Sequence, residues 1–162
     1  MAEIILIASG KGGSGKSTFV SGISNALAAL GKKVLAADCD IGLRSLDLMF
    51  GVTENVVFDW GDLLLERCTR EQAVISGKVD FLAAPRSFDD DFTPESVSAL
   101  FRSFSDDYDY IILDAPAGID RGMRLAASAA DRGSGSSSDR SFWGNDGELL
   151  FYRAKDARKP LT

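Results

Sequence analysis

The chain contains no histidine. That absence excludes Ser-His-Asp and Cys-His catalysis and most zinc sites, so any acid–base chemistry falls to carboxylates, lysines or ordered water. Cysteine is nearly as scarce. Cys39 and Cys68 are the only two in 162 residues, too few for a disulfide framework and in keeping with a reducing cytosol. An excess of positive charge is also missing. The net charge is −6 and the pI is near 4.7; such a surface repels the nucleic-acid backbone, and no nucleic-acid partner is expected. No stretch approaches the ~20 apolar residues of a membrane span. Met1-Ala2-Glu3 is not the basic start of a signal peptide, so a cytoplasmic protein is expected.

What remains is the balance of a soluble globular domain, 45% apolar and 26% charged, long enough for one sizeable core. Over its first 130 or so residues the chain alternates in βα style. Ile4–Ala8, Lys33–Asp38, Val79–Ala84 and Tyr110–Asp114 read as buried strands. Lys16–Leu30 has helical spacing, with Phe19, Val20, Ile23, Ala26, Leu27 and Leu30 on one face. Shorter helical stretches are expected at Phe58–Glu66 and Thr69–Ile75. Pro94–Phe104 reads as a helix capped by Thr93, with proline at its first position. Ile119–Ala130 reads as the last helix. Repeated alternation argues for a mostly parallel sheet with helices on both faces.

Three elements carry chemistry. Residues 10–18 read Gly-Lys-Gly-Gly-Ser-Gly-Lys-Ser-Thr directly after the first strand. Gly10, Gly15, Lys16 and Ser17 fill the pattern G-x-x-x-x-G-K-[ST], a phosphate-binding loop between strand and helix. Its successive backbone N–H groups, those of Gly12, Gly13, Ser14 and Gly15 among them, form an anion nest, and the helix start adds its dipole. Lys16 is expected at the β- and γ-phosphates of a nucleoside triphosphate, the Ser17 hydroxyl on Mg²⁺ and Thr18 near the α-phosphate. Lys11, a second lysine after the first glycine, is unusual for such loops.

The second strand ends in Asp38-Cys39-Asp40. Ligands of open α/β sheets bind outside that edge, so one carboxylate could serve the metal shell and the other orient water; capping of the next turn is the plainer alternative. The fourth strand ends at Asp114, the Walker B pattern, with its carboxylate near Mg²⁺ through water. Gly118, two residues past Pro116, can bring a backbone N–H close to the γ-phosphate.

Lys11 ahead of Gly12-Gly13-Ser14-Gly15-Lys16-Ser17-Thr18 resembles the deviant Walker A loop of the MinD/ParA family of ATPases. The run from Asp38 to Asp47 resembles the switch I stretch of the family's division-site branch, and Asp114-Ala115-Pro116-Ala117-Gly118-Ile119 resembles its switch II. The resemblance covers roughly residues 2–132 and implies a P-loop NTPase three-layer α/β sandwich using ATP and Mg²⁺. By position it implies that Lys16 binds the β/γ-phosphates and that Lys11 crosses an ATP-bound dimer interface to the partner's nucleotide. It implies that Ser17 ligates Mg²⁺, that Asp40 positions the attacking water with Asp38 in support, and that Asp114 is the Walker B aspartate. The family hydrolyses ATP slowly and uses the cycle as a dimer-and-membrane switch. Its division-site members bind MinC and MinE and tether to the inner membrane face through a C-terminal amphipathic helix.

After Arg132 the chain leaves the family's pattern. A buried Val/Ile strand ending near Thr-x-Pro is expected there; Gly133-Ser134-Gly135-Ser136-Ser137-Ser138 stands instead. If those serines use AGY codons and the glycines GGN, reading one nucleotide later gives mainly Val or Ala codons, then a Thr or Ile codon, as in the missing strand. A family unit at 1–132 is therefore expected, truncated after the Walker B strand and its helix, with a frameshifted or flexible tail at 133–162 and impaired activity. Without a replacement strand, Ile4–Ala8 would be an open apolar sheet edge. Leu149–Thr162 is a poor amphipathic anchor, with Pro160 and a short apolar cluster. Two other readings stay open: a ParA-like or flagellar-number ATPase, and a non-catalytic nucleotide-binding or interaction fragment.

Overall fold

Short, mainly apolar runs form the parallel strands, and polar residues stand only at their ends. The computed structural model describes residues 1–9, 15–118, 120–130, 139–142 and 149–153. In it β1 (Glu3–Ser9), β2 (Val34–Asp38), β3 (Asp80–Leu82) and β4 (Tyr110–Asp114) pair in parallel in the order β3-β2-β4-β1. Every residue of β2 is buried, and every residue of β4 after its first, the pattern of a parallel sheet sandwiched between helices.

Among the described residues six α-helices flank the sheet: α1 (Lys16–Ala29), α2 (Leu46–Phe50), α3 (Trp60–Leu64), α4 (Arg70–Ala73), α5 (Pro94–Arg102) and α6 (Arg121–Ala130). Ile7, Val34, Ala36, Phe81 and Ile112 pack with Val20 of α1 and Leu46 of α2. The alternate strand residues, Leu6, Leu35, Ala37, Ile111 and Leu113, pack with Trp60, Val97, Phe101, Leu125 and Ala129 from α3, α5 and α6. This is the expected three-layer α/β sandwich. The α5 start also forms as its sequence dictates: Thr93 Oγ1 accepts from the Ser96 N–H at 3.1 Å, with Pro94 at the first helical position.

Three sequence readings differ from the structure. The α1 stripe facing the sheet is narrower and rotated: Val20 and Ser24 are buried and Ile23, Leu27 and Ala28 half-buried, whereas Phe19, Ala26 and Leu30 are exposed. Positions 20, 23, 24, 27 and 28 follow the 3-4-3 helical spacing; 19, 26 and 30 lie at the flanks. The α2 helix and the 3-10 turn Thr53–Asn55 were not read from sequence, being too short to show a period.

The third difference lies in the tail, where no element was read. Here β5 (Asp139–Phe142) and β6 (Leu149–Arg153) extend the sheet, giving the order β3-β2-β4-β1-β6-β5. β6 runs antiparallel to β1, with Ile5 opposite Arg153 and Ser9 opposite Leu149. An unpaired strand edge is a template for any nearby chain of high strand propensity, and Leu149-Leu150-Phe151-Tyr152 is such a run. The condition under which β1 would be an open edge is therefore not met. The Gly/Ser stretch at 133–138 lies outside the described residues.

Candidate nucleotide-binding site

The C-terminal ends of β1, β2 and β4 converge on the edge where open α/β sheets bind ligands. Asp38 and Asp114 are register partners at the ends of β2 and β4. Opposite them α1 begins at Lys16, directly after Gly15, whose φ of +77° only glycine adopts readily.

The first turn of α1 meets the end of β4 through side chains. Lys16 Nζ forms a hydrogen-bonded ion pair with Asp114 Oδ1. The Ser17 hydroxyl donates to the other carboxylate oxygen, Oδ2, at 2.7 Å. Ser45, at the start of α2, lies with its hydroxyl 3.3 Å from that of Ser17. Asp114 is buried, its side chain 1% exposed, so both of its oxygens are committed to residues of the phosphate loop's helix.

Asp38 is buried and its carboxylate is taken up by backbone N–H groups. Its Oδ1 accepts from the Asp40 N–H at 2.9 Å, and its Oδ2 accepts from the Ser45 and Leu46 N–H groups, both at 3.1 Å. One carboxylate thereby folds the whole 40–46 loop around itself. Burial pushes its pKa up to about 6, against the opposing pull of the backbone N–H bonds; the neighbouring charge of Asp114 adds to the rise. Its backbone carbonyl is held from behind by the Trp60 indole N–H at 2.9 Å.

Asp40 is half-buried. Burial raises its pKa, the Lys16 ammonium pulls it back down, and the charges of Asp114 and Asp120 raise it again. Those influences place Asp40 in the same electrostatic neighbourhood as Lys16 and Asp114. Cys39, between the two aspartates, is a buried thiol pushed up by desolvation, hence inert packing.

Gly118 has φ +92° and leaves open space where a Cβ would stand, so the backbone there can approach a ligand closely. Thr18 is exposed on the first turn of α1. Lys11, Gly12, Gly13 and Ser14 lie outside the described residues. The structure thus brings Lys16, Ser17, Ser45 and Asp114 into contact, with Asp40 within reach of their charges and the Asp38 carboxylate bonded to the loop that follows it.

Sequence reading did not assign roles to Ser45, Arg44, Asp59, Trp60 or Asp120. Ser45 and Arg44 fall within the switch-like stretch and could have been singled out there. Nothing local marks Asp59 or Trp60, whose contacts with this loop are tertiary.

Among the described residues, no three His, Cys, Asp or Glu side chains are grouped so as to hold a metal by themselves. The adjacent Ser17 hydroxyl and Asp114 carboxylate are hard oxygen donors, which suit Mg²⁺ retaining most of its water and phosphate ligands.

Comparisons with known proteins bear on the family and the fold. The family model AAA_31, an AAA domain, matches residues 2–132. The septum site-determining protein MinD of Helicobacter pylori is 43% identical over 136 residues, covering 81% of this chain and 51% of that protein. Among solved structures, the MinC:MinD cell division complex of Aquifex aeolicus superposes with a TM-score of 0.70 at 40% identity, covering 80% of this chain and 54% of that one. MinD of Pyrococcus horikoshii complexed with Mg-ADP gives a TM-score of 0.68 at 34% identity, covering 80% and 56%. The chain spans about half the length of the curated relatives it matches. With its phosphate-loop helix, both strand-end aspartates and this likeness over residues 2–132, the chain belongs to the MinD/ParA family of P-loop NTPases, on its MinD-like side.

Proposed function

We propose that this chain binds Mg²⁺–ATP at the 10–18 loop and hydrolyses it slowly, as a component of bacterial division-site placement. The observation that carries the reading is the convergence of Lys16 and Ser17 on the buried Asp114 at the ligand-binding edge of the sheet. Mg²⁺ held between Ser17 and Asp114 would neutralise charge on the β- and γ-phosphates. Lys16 exchanges Asp114 for the phosphates when nucleotide enters. Asp40 orients water toward the γ-phosphate, and Gly118 offers its N–H to the same group. Lys11 reaches the nucleotide of a second copy in an ATP-dependent homodimer, while Gly12, Gly13, Ser14 and Thr18 complete the phosphate cradle.

The Aquifex relative was solved as a MinC:MinD complex, which supports a MinC-type partner; MinE is proposed from family resemblance alone. The division of the chain into a family unit at 1–132 and a separate tail is likewise our reading, and translating the gene in all frames across codons 128–162 tests it. Among the described residues no helix is long and apolar enough to cross a membrane; we place the protein in the cytoplasm, with membrane contact only through a helix of the kind its relatives carry at the C-terminus.

The test is nucleotide binding by calorimetry with Mg²⁺–ATP, paired with phosphate release. The wild-type chain should bind, and Lys16→Ala should abolish binding. Retained ATP affinity in Lys16→Ala sinks the assignment. Binding without multiple-turnover phosphate release would reduce the protein to a nucleotide-dependent interaction module.

A further inference from the structure

The 40–46 loop is gripped on both sides. From inside, the Asp38 carboxylate holds the N–H groups of Asp40, Ser45 and Leu46. From outside, Arg44 reaches across to the start of α3. Its Nε donates to the Ala84 carbonyl at 2.6 Å, and its Nη2 donates to Asp59 Oδ2 at 2.8 Å. The Arg44 and Asp59 side chains are only 15% and 11% exposed, unlike the exposed pairs that contribute little.

Two further facts show that this contact determines the backbone rather than decorating it. Arg44 sits at φ +45°, a left-handed conformation that a residue with a Cβ adopts only when its surroundings impose it. Asp59 is itself fixed: its Oδ1 accepts from the Asp62 N–H at 2.9 Å and its own N–H donates to Asp62 Oδ2, a complete capping box at the head of α3. A rigid carboxylate therefore anchors a strained arginine. The next residue, Ser45, carries the hydroxyl that meets Ser17.

We propose that Arg44 and Asp59 are positioning residues of the nucleotide site, setting where Ser45 and Asp40 stand relative to Ser17 and so governing the Mg²⁺-dependent part of nucleotide affinity. The proposal rests on the nucleotide-binding reading above and adds to it two residues that touch neither phosphate nor metal. The pair works as one latch: Asp59 fixes the guanidinium, the guanidinium fixes the left-handed turn, and the turn fixes Ser45.

The variants are Asp59→Asn, which keeps a good N-cap oxygen while removing the charge, and Arg44→Gly, which accepts φ > 0 without strain while removing the anchor. If Arg44 mattered only for folding, the glycine variant would lower stability and leave the Mg²⁺-dependent gain in affinity unchanged. ADP affinity is measured by calorimetry with and without Mg²⁺, and amide hydrogen exchange is measured in the nucleotide-free protein.

In each variant the affinity gained on adding Mg²⁺ should fall about tenfold, the size of one lost charge-assisted hydrogen bond, with Mg²⁺-free ADP affinity held within about twofold. Exchange at the Ser45 and Leu46 amides should speed up about tenfold for the same reason, while the β4 amides stay as in wild type. The double variant should be no worse than the worse single one, because both remove the same latch.

An unchanged Mg²⁺ increment in both variants overturns the proposal, as does unchanged exchange at Ser45 and Leu46. A wild-type protein that fails to bind ADP at all sinks the nucleotide reading instead, and the exchange rates alone then decide whether the latch holds the loop.

Discussion

Lys16→Ala should destabilise the nucleotide-free protein as well as abolish nucleotide binding, and the size of that effect can be worked out. Asp114 is 1% exposed and has two partners, the Lys16 ammonium and the Ser17 hydroxyl. Removing Lys16 leaves a buried carboxylate with one neutral donor. Breaking a buried pair by deleting one partner typically costs about 3–5 kcal/mol, because the remaining charge is uncompensated. Lys16 is itself 11% exposed, so water can enter the space it leaves; the lower end, about 3 kcal/mol, is the expectation. For a chain of this size that corresponds to a fall of roughly 6–12 °C in melting temperature.

A double-mutant cycle with Asp114→Asn separates this from ordinary packing loss. Once the charge is gone, Lys16→Ala should cost about 2 kcal/mol less than it does in wild type. The assay is urea unfolding of the four proteins followed by far-UV circular dichroism, in buffer free of nucleotide and Mg²⁺. Additivity within about 0.5 kcal/mol would refute the ion pair as a stabilising contact of the resting protein. It would also undercut the idea that incoming phosphates must take Lys16 away from Asp114.

Trp60→Phe should cost about 1–3 kcal/mol, since it removes the indole donor to the buried Asp38 carbonyl while keeping an aromatic ring against Phe92 and Phe101; a urea midpoint equal to wild type would show that the hydrogen bond is inconsequential. Asp38 predicts a pH dependence. Its folded pKa of about 6 lies above its ordinary 3.8, so its contribution is fully present below about pH 4 and is lost as pH rises to about 6, a change on the order of 3 kcal/mol. Other carboxylates are cancelled by comparing wild type with Asp38→Asn at each pH. The stability difference, wild type minus variant, should fall across that window and stay level above it, and a pH-independent difference would refute the assignment.

Most of what positions the phosphate loop was legible because its determinants are local. Residues 3–9 form a strand around the apolar run Ile4–Ala8, and the next residues are glycine-rich; α1 starts where Gly15 permits the turn. Thr93 and Pro94 announce α5 within four residues of sequence. The loop that shapes the other side of the site was not legible in the same way. Arg44 reaches Ala84, 40 residues away, and Asp59, 15 away. Lys16 and Asp114 are 98 apart. Motif order assigned both to one nucleotide site but not to each other, and no sequence period encodes the turn at Arg44 or the set of N–H groups around Asp38. That set is three N–H groups that only the folded loop delivers to one carboxylate.

The tail shows the same distinction at the scale of the sheet. Whether 149–153 forms a strand depends on β1 offering an edge, a property of the folded sheet that no window of the tail contains. β6 covers that edge in the antiparallel sense, with Leu149 beside Ser9 and Arg153 beside Ile5. Direction matters for function. In a parallel sheet each neighbour delivers its C-terminal end, and the loop beyond it, to the ligand edge. An antiparallel neighbour delivers its N-terminal end there instead. β6 therefore completes the hydrogen bonding of β1 and steadies the strand that leads into the phosphate loop, while the described ligand-facing groups come from the ends of β2 and β4 and the start of α1. The described groups that meet at that edge, Lys16, Ser17, Ser45 and Asp114, all come from residues 16–114, and β6 touches them only by pairing with β1.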